Sequence, residues 1–127
     1  MTDPLETLKT SIKALAEVKK YATLRDILST MNAADIASLF EEDMPEEIVP
    51  LLYRLLPKEL AADTFVEMEP DTQQMLITGF SDNELKEVVD ELYVDDAVDL
   101  VEEMPANVVK RILMQADAQK RQMINTI

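Results

Sequence analysis

Residues 45–70 read PEEIVPLLYRLLPKELAADTFVEMEP, two proline-led units followed by the start of a third at Pro70. Ile48 falls three positions after Pro45 and Leu60 three after Pro57, and each is followed by further apolar residues one turn on. Apolar residues three and four apart mark one face of a helix. Proline is tolerated in a helix's first turn, where its missing N–H has no intrahelical partner anyway. Each unit therefore reads as one amphipathic helix with its own start signal.

The same unit extends in both directions. Breaks recur near Ala33, Pro45, Pro57, Pro70, Asp82, Val94, Pro105 and Asp117, at spacings of 12, 12, 13, 12, 12, 11 and 12. Ile36, Leu85, Ala97 and Val108 repeat the apolar position three residues past a break, and Ser81 with Glu84 forms a plausible capping box. Helices of about ten residues do not persist alone in water, so they must stack on their neighbours. Upstream, Pro4 behind Asp3 opens a helix with the stripe Leu5, Leu8, Ile12 and Leu15, and a second short helix carries Leu24, Ile27, Leu28 and Met31. The pattern predicts an all-α chain, a solenoid or superhelix of about ten short helices with a roughly 12-residue repeat. Residues 1–31 form lead-in helices and 32–127 the helical repeat, together one compact domain.

Composition narrows the function. The 127 residues are 47% hydrophobic, too apolar for a disordered acidic tail. A net charge of −14 repels phosphate backbones and anionic headgroups, so nucleic acid and bare membrane are excluded as partners. Positions 35–103 hold 21 carboxylates against only Arg54, Lys58 and Lys86, whereas beyond 103 Lys110, Arg111, Lys120 and Arg121 face only Asp117. That distribution predicts an acidic belt with a basic rim, answered by divalent cations or a basic partner. The absence of cysteine and histidine removes thiolates, imidazole bases and soft metal ligands, which leaves hard, oxygen-ligated cations. No apolar run approaches the roughly 20 residues that span a bilayer, and the amino terminus lacks a signal-peptide core. The chain is expected in the cytosol, without direct membrane insertion. Tyr21, Tyr53 and Tyr93 have no base, nucleophile or glycine-rich phosphate loop beside them, so no enzyme is expected.

Among the carboxylates, Asp95 and Asp99 are four apart and share a helix face. At an effective dielectric of about 20, two charges about 4 Å apart repel by on the order of 4 kcal/mol, which a cation between them would relieve. Equally, Asp95 and Asp96 in a first helical turn would stabilise the macrodipole by roughly 0.3–1 kcal/mol with no ion at all. Glu41-Glu42-Asp43, Glu46-Glu47 and Glu102-Glu103 read as solvated faces, and no Asp-x-Asp-x-Asp-Gly calcium loop occurs. Met44, Met68 and Met104, near repeat ends, read as plugs between helices.

Leu55-Leu56-Pro57-Lys58-Glu59-Leu60-Ala61-Ala62-Asp63, Asp90-Glu91-Leu92, Asp95-Asp96 and Asp99-Leu100-Val101-Glu102-Glu103-Met104-Pro105 stand in the order of a known family. Over roughly residues 24–127 the chain resembles the amino-terminal cytosolic domain of MgtE magnesium transporters, and Asn32-Ala33-Ala34-Asp35-Ile36-Ala37 is similar to that domain's opening motif. The resemblance implies a right-handed superhelix that precedes a CBS domain pair and a dimeric transmembrane pore in the same full-length chain, on the inner face of the membrane. It implies a regulatory domain that senses intracellular Mg2+ at its interface with the CBS domains and gates the pore. The positions that match the family's metal ligands are Asp63, Asp95 and Asp99, with Asp96 beside them. The family often has glutamate at position 63, so Asp63 reaches about one methylene less far, a gap that a bridging water can fill. Mg2+ would be weakly held by the isolated domain and completed by CBS oxygens. The rival reading is a helical-repeat interaction module related to flagellar motor switch proteins, since an acidic belt answers a basic protein equally well.

Overall fold

The computed structural model describes residues 4–125. Its helices are α1 (Pro4–Glu17), α2 (Tyr21–Leu28), α3 (Ala33–Ser38), α4 (Val49–Arg54), α5 (Lys58–Glu67), α6 (Pro70–Gly79), α7 (Asp82–Glu91), α8 (Val94–Glu103), α9 (Ala106–Gln115) and α10 (Ala118–Asn125). A π-helical turn, Leu39–Asp43, extends α3, and a 3-10 turn, Glu46–Ile48, leads into α4. No strand occurs among the described residues.

The capping residues Pro45, Pro57, Glu69, Ser81, Tyr93 and Pro105 fall 12 apart at every step. Asp117 continues the series, its Oδ1 accepting from the Lys120 N–H at 2.7 Å. The repeat is thus more regular than the breaks suggested. Pro70 occupies the first position of its helix, but Pro45, Pro57 and Pro105 stand one residue earlier, as caps. A proline disfavours the α region in the residue before it, which suits the extended residue that ends each preceding unit. Met44 (φ −109°, ψ 144°) and Met104 (φ −104°, ψ 151°) are both extended. Phe80 (ψ 144°) and Leu92 (ψ 142°), with no proline after them, are extended in the same way, so the prolines reinforce a stop that the repeat makes at other joints too. Ser81 and Glu84 form the expected capping box, with both hydrogen bonds present.

One residue before each cap lies a buried apolar side chain: Met44, Leu56, Met68, Phe80, Leu92, Met104 and Ala116. The three methionines do plug the joints between helices. In the first two of these units Val49 and Ala61 are buried while Ile48 and Leu60 are only half-buried, whereas Val108, three past Pro105, is buried as expected. At Pro45 and Pro57, counting from the cap as though it were a first helical residue shifts the face by one position, about 100° of rotation. Helix α3 packs on α5, α5 on α7, α7 on α9 and α8 on α10, so alternate helices stack and the chain winds into a superhelix around one continuous core. Ile12, Leu24 and Leu28 bring α1 and α2 into that core, flanked by the half-buried Leu8, Leu15, Ile27 and Met31. Asp3 and the side chain of Leu5 lie outside the described residues. Helix α1 ends in a Schellman motif, with Lys19 left-handed (φ 59°) and the Lys20 N–H donating to the Leu15 carbonyl at 2.9 Å.

Three of the four cations of the expected basic rim bond helix-end carbonyls, with Arg111 and Lys120 half-buried and Arg121 exposed. Lys120 Nζ donates to the carbonyls of Val89 (2.7 Å) and Leu92 (2.8 Å), and Arg121 to those of Leu113 (2.8 Å) and Ala116 (3.1 Å). Arg111 donates to the Ile77 and Phe80 carbonyls. Pairs 77/80 and 89/92 are the same places one repeat apart, and all these cations close the negative ends of helices whose last carbonyls have no intrahelical partner. Two expected solvated acids are also in use. Glu41 Oε2 accepts from the Glu69 N–H at 2.9 Å and the Thr72 hydroxyl at 2.7 Å, capping α6 from the π turn, and Asp43 pairs with Lys9 at 3.0 Å.

Leu52, Leu76, Val88, Leu100, Ile112 and Ile124 are buried at 12-residue intervals, and Thr64 occupies the remaining place in that series. Its hydroxyl is fully buried without a partner. Thr64→Val is expected to raise the unfolding free energy by about 1–2 kcal/mol, because an unpaired buried hydroxyl costs roughly that much. A urea melt with a midpoint no higher than the parent's would refute this.

Candidate metal-binding face

Helix α8 turns Ala97 and Leu100 into the core, with Val94, Val98 and Val101 half-buried around them. That registration leaves Asp95 and Asp99 exposed and Asp96 half-buried at one edge. Helix α5 does the same with Ala61, Ala62, Thr64 and Phe65 inward and Asp63 outward. Asp95 and Asp96 do occupy the first turn of α8. Helix-end stabilisation therefore accounts for their place in the fold, and it leaves their oxygens available. Among the described residues none of Asp63, Asp95, Asp96 or Asp99 is in an ion pair. By contrast Glu84 is held by the Arg54 guanidinium at 2.6 Å, which lowers its carboxyl below the usual range.

The four aspartates do not converge. No three acidic side chains among the described residues come together closely enough to hold an ion directly. Asp96 and Asp99 line a cavity of about 250 Å3 between α8 and the α5–α6 corner, whereas Asp63 and Asp95 lie outside it. Sequence reasoning missed Glu69, Gln73 and Glu103 on that cavity. A signal existed for one of them: Gln73 is buried at the repeat position that Val49, Ala61, Leu85 and Ala97 fill with apolar side chains. Tyr93, at the cap of α8, is 78% exposed and stands directly before the aspartates.

The fold and this face define a helical-repeat domain with an acidic surface whose outward aspartates lack internal counter-cations. The MgtE intracellular N domain family matches residues 31–127, and the chain belongs to that family. A crystal structure of the cytosolic domain of the Mg2+ channel MgtE, in complex with ATP, aligns with a TM-score of 0.80 at 23% identity, covering 92% of this chain and 48% of that one. The chain spans about half the length of that relative, and the likeness establishes the fold. Comparison with curated protein sequences gives no match. No helix among the described residues is long and apolar enough to cross a membrane.

Proposed function

We propose that this chain is the Mg2+-sensing regulatory domain of an MgtE-type magnesium transporter, working on the cytoplasmic side of the membrane. In this reading Asp63, Asp95 and Asp99 form the near half of Mg2+ sites, a CBS domain pair of the same full-length chain supplies the rest, and the dimeric pore closes when the ions are bound. The observation that carries it is the outward, unpaired placement of these three aspartates on a domain of this family. The donor set fits Mg2+, which dehydrates reluctantly and takes one or two protein carboxylates while keeping several waters. Affinity then rises only when a second surface docks, and differential affinity for the docked state is what shifts the gating equilibrium. The domain itself performs no catalysis.

The test is small-angle scattering on the domain joined to its downstream CBS region, titrated with Mg2+ against calcium and sodium controls. Saturable shrinkage is expected, and Asp95→Ala with Asp99→Ala should flatten it. A parent that does not shrink would leave an interaction scaffold instead, and a variant that still shrinks normally would reject the two aspartates.

A further inference from the structure

We propose that the open groove along α9 is the seat of one further helix, an acid-flanked segment that follows α10 in the full-length chain. It rests on the part of the reading above in which this domain continues into a longer protein, and it involves no Mg2+.

Burial along the repeat carries it. Leu85 and Val89 in α7 are at most 1% exposed, and Ala61 and Phe65, at the same repeat positions in α5, are buried too. Val109 and Leu113 in α9, 24 residues beyond the α7 pair, are only half-buried. The helices differ in what comes after them. Helix α7 stacks on α5 and α9 on α7, whereas no helix among the described residues stacks on α9 in that way. Met114 beside them is 65% exposed, and together with Met104 they line a groove of about 580 Å3. A stacked repeat whose last unit shows an apolar side needs a cap.

Connectivity supplies the occupant. The caps run at 12-residue steps to Pro105 and then Asp117, so the next falls at position 129, directly beyond α10. Since α10 stacks on α8, a helix that starts there and keeps the alternation lands on α9. Charge sets its flanks. Lys110 and Arg121 border the groove, no carboxylate among the described residues lines it, and Lys110 is exposed and in no ion pair there. Lysine at the edge of a helix seat selects a carboxylate on the incoming helix. The fold already contains that arrangement, with Lys58 at the start of α5 lying 3.6 Å from Glu91 of α7. A second copy fits less well: each chain carries a net charge of −14, and two such grooves face to face would set Lys110 and Arg121 against their own kind.

The experiment compares the 127-residue chain with one carried through its natural continuation for two further 12-residue units, both in EDTA. Hydrogen peroxide converts an accessible methionine thioether to the sulfoxide, and peptide mass spectrometry follows Met114. Met114 should oxidise on the order of tenfold or more slowly in the longer chain, because the thioether then waits for the helix to open. The protection should hold at every protein concentration, with a monomer's sedimentation. Lys110→Glu in the longer chain should return most of the lost rate, and Lys13→Glu, the same charge change elsewhere, should return none. Equal rates in the two parent chains would overturn the seat. Protection that grows with concentration alongside a dimer's mass would give the groove to a second copy, and equal effects of the two variants would remove the acid-flanked helix. Every arm is read without Mg2+, so its failure is distinct from a failure of the scattering test.

Discussion

Phe65→Ala is expected to lower the unfolding free energy by about 3–5 kcal/mol, the usual cost of deleting a buried ring when the site cannot collapse. Phe65 is 1% exposed in α5, the helix that packs on both α3 and α7. Its ring meets Tyr53 edge-on at 6.5 Å, and Tyr53 in turn lies 5.5 Å from Phe80. Aromatic side chains from three successive units therefore meet there. Tyr53 is held away from the gap, because its hydroxyl donates to the Ala61 carbonyl at 2.8 Å in a buried setting that raises the phenol's pKa. Domains of this size are stable by about 5–15 kcal/mol, so the variant should sit near the edge of folding. Urea unfolding checks it: a fallen midpoint at unchanged slope is expected. A cost below about 1.5 kcal/mol would mean that the helices close over the missing ring, and a reduced slope would mean that the units unfold separately, as weakly coupled repeats do.

How much of this was legible beforehand depended on which signal was local. The helical repeat was, because proline, the capping box at Ser81 and apolar spacing all act within one turn of the chain. The family was also legible, from ordered motifs rather than from chemistry. The exact phase was not: proline before a helix and proline in its first residue look alike as letters, and only the backbone of Met44 and Met104 separates them. Roles that join residues about 30 apart were invisible. Glu41 reads as one of three adjacent acids until the π turn carries it to the start of α6, and Arg111 and Lys120 read as a rim until the winding brings α6 and α7 within their reach. For the candidate site, the exposure of Asp63, Asp95 and Asp99 follows from helical phase alone. Which acids share a cavity does not, since it depends on how α8 faces the α5–α6 corner.

Arg111→Met should cost about 2–3 kcal/mol, because charged hydrogen bonds to helix carbonyls are the stronger kind and their loss leaves partly buried acceptors unpaired. Arg111 projects from α9 across to the junction of α6 and α7, where its guanidinium serves the Ile77 and Phe80 carbonyls and lies 3.2 Å from Asp82. Methionine keeps much of the aliphatic stem, so the loss reports the fork and not the packing. Lysine should recover less than half, since a single ammonium cannot reproduce a planar fork aimed at two carbonyls and a carboxylate. The Asp82 contact contributes little: that carboxylate is 72% exposed, and exposed pairs are worth about 0–1 kcal/mol. Asp82→Asn should therefore cost under about 0.5 kcal/mol, and the Arg111→Met loss should survive in 1 M salt, where the screening length is about 3 Å. Thermal and urea melts of the variants at low and high salt separate these contributions. If Arg111→Met costs no more than Lys86→Met, which breaks only the exposed pair with Asp90, then carbonyl capping does not hold α9 to the α6–α7 junction and the superhelix rests on apolar stacking alone.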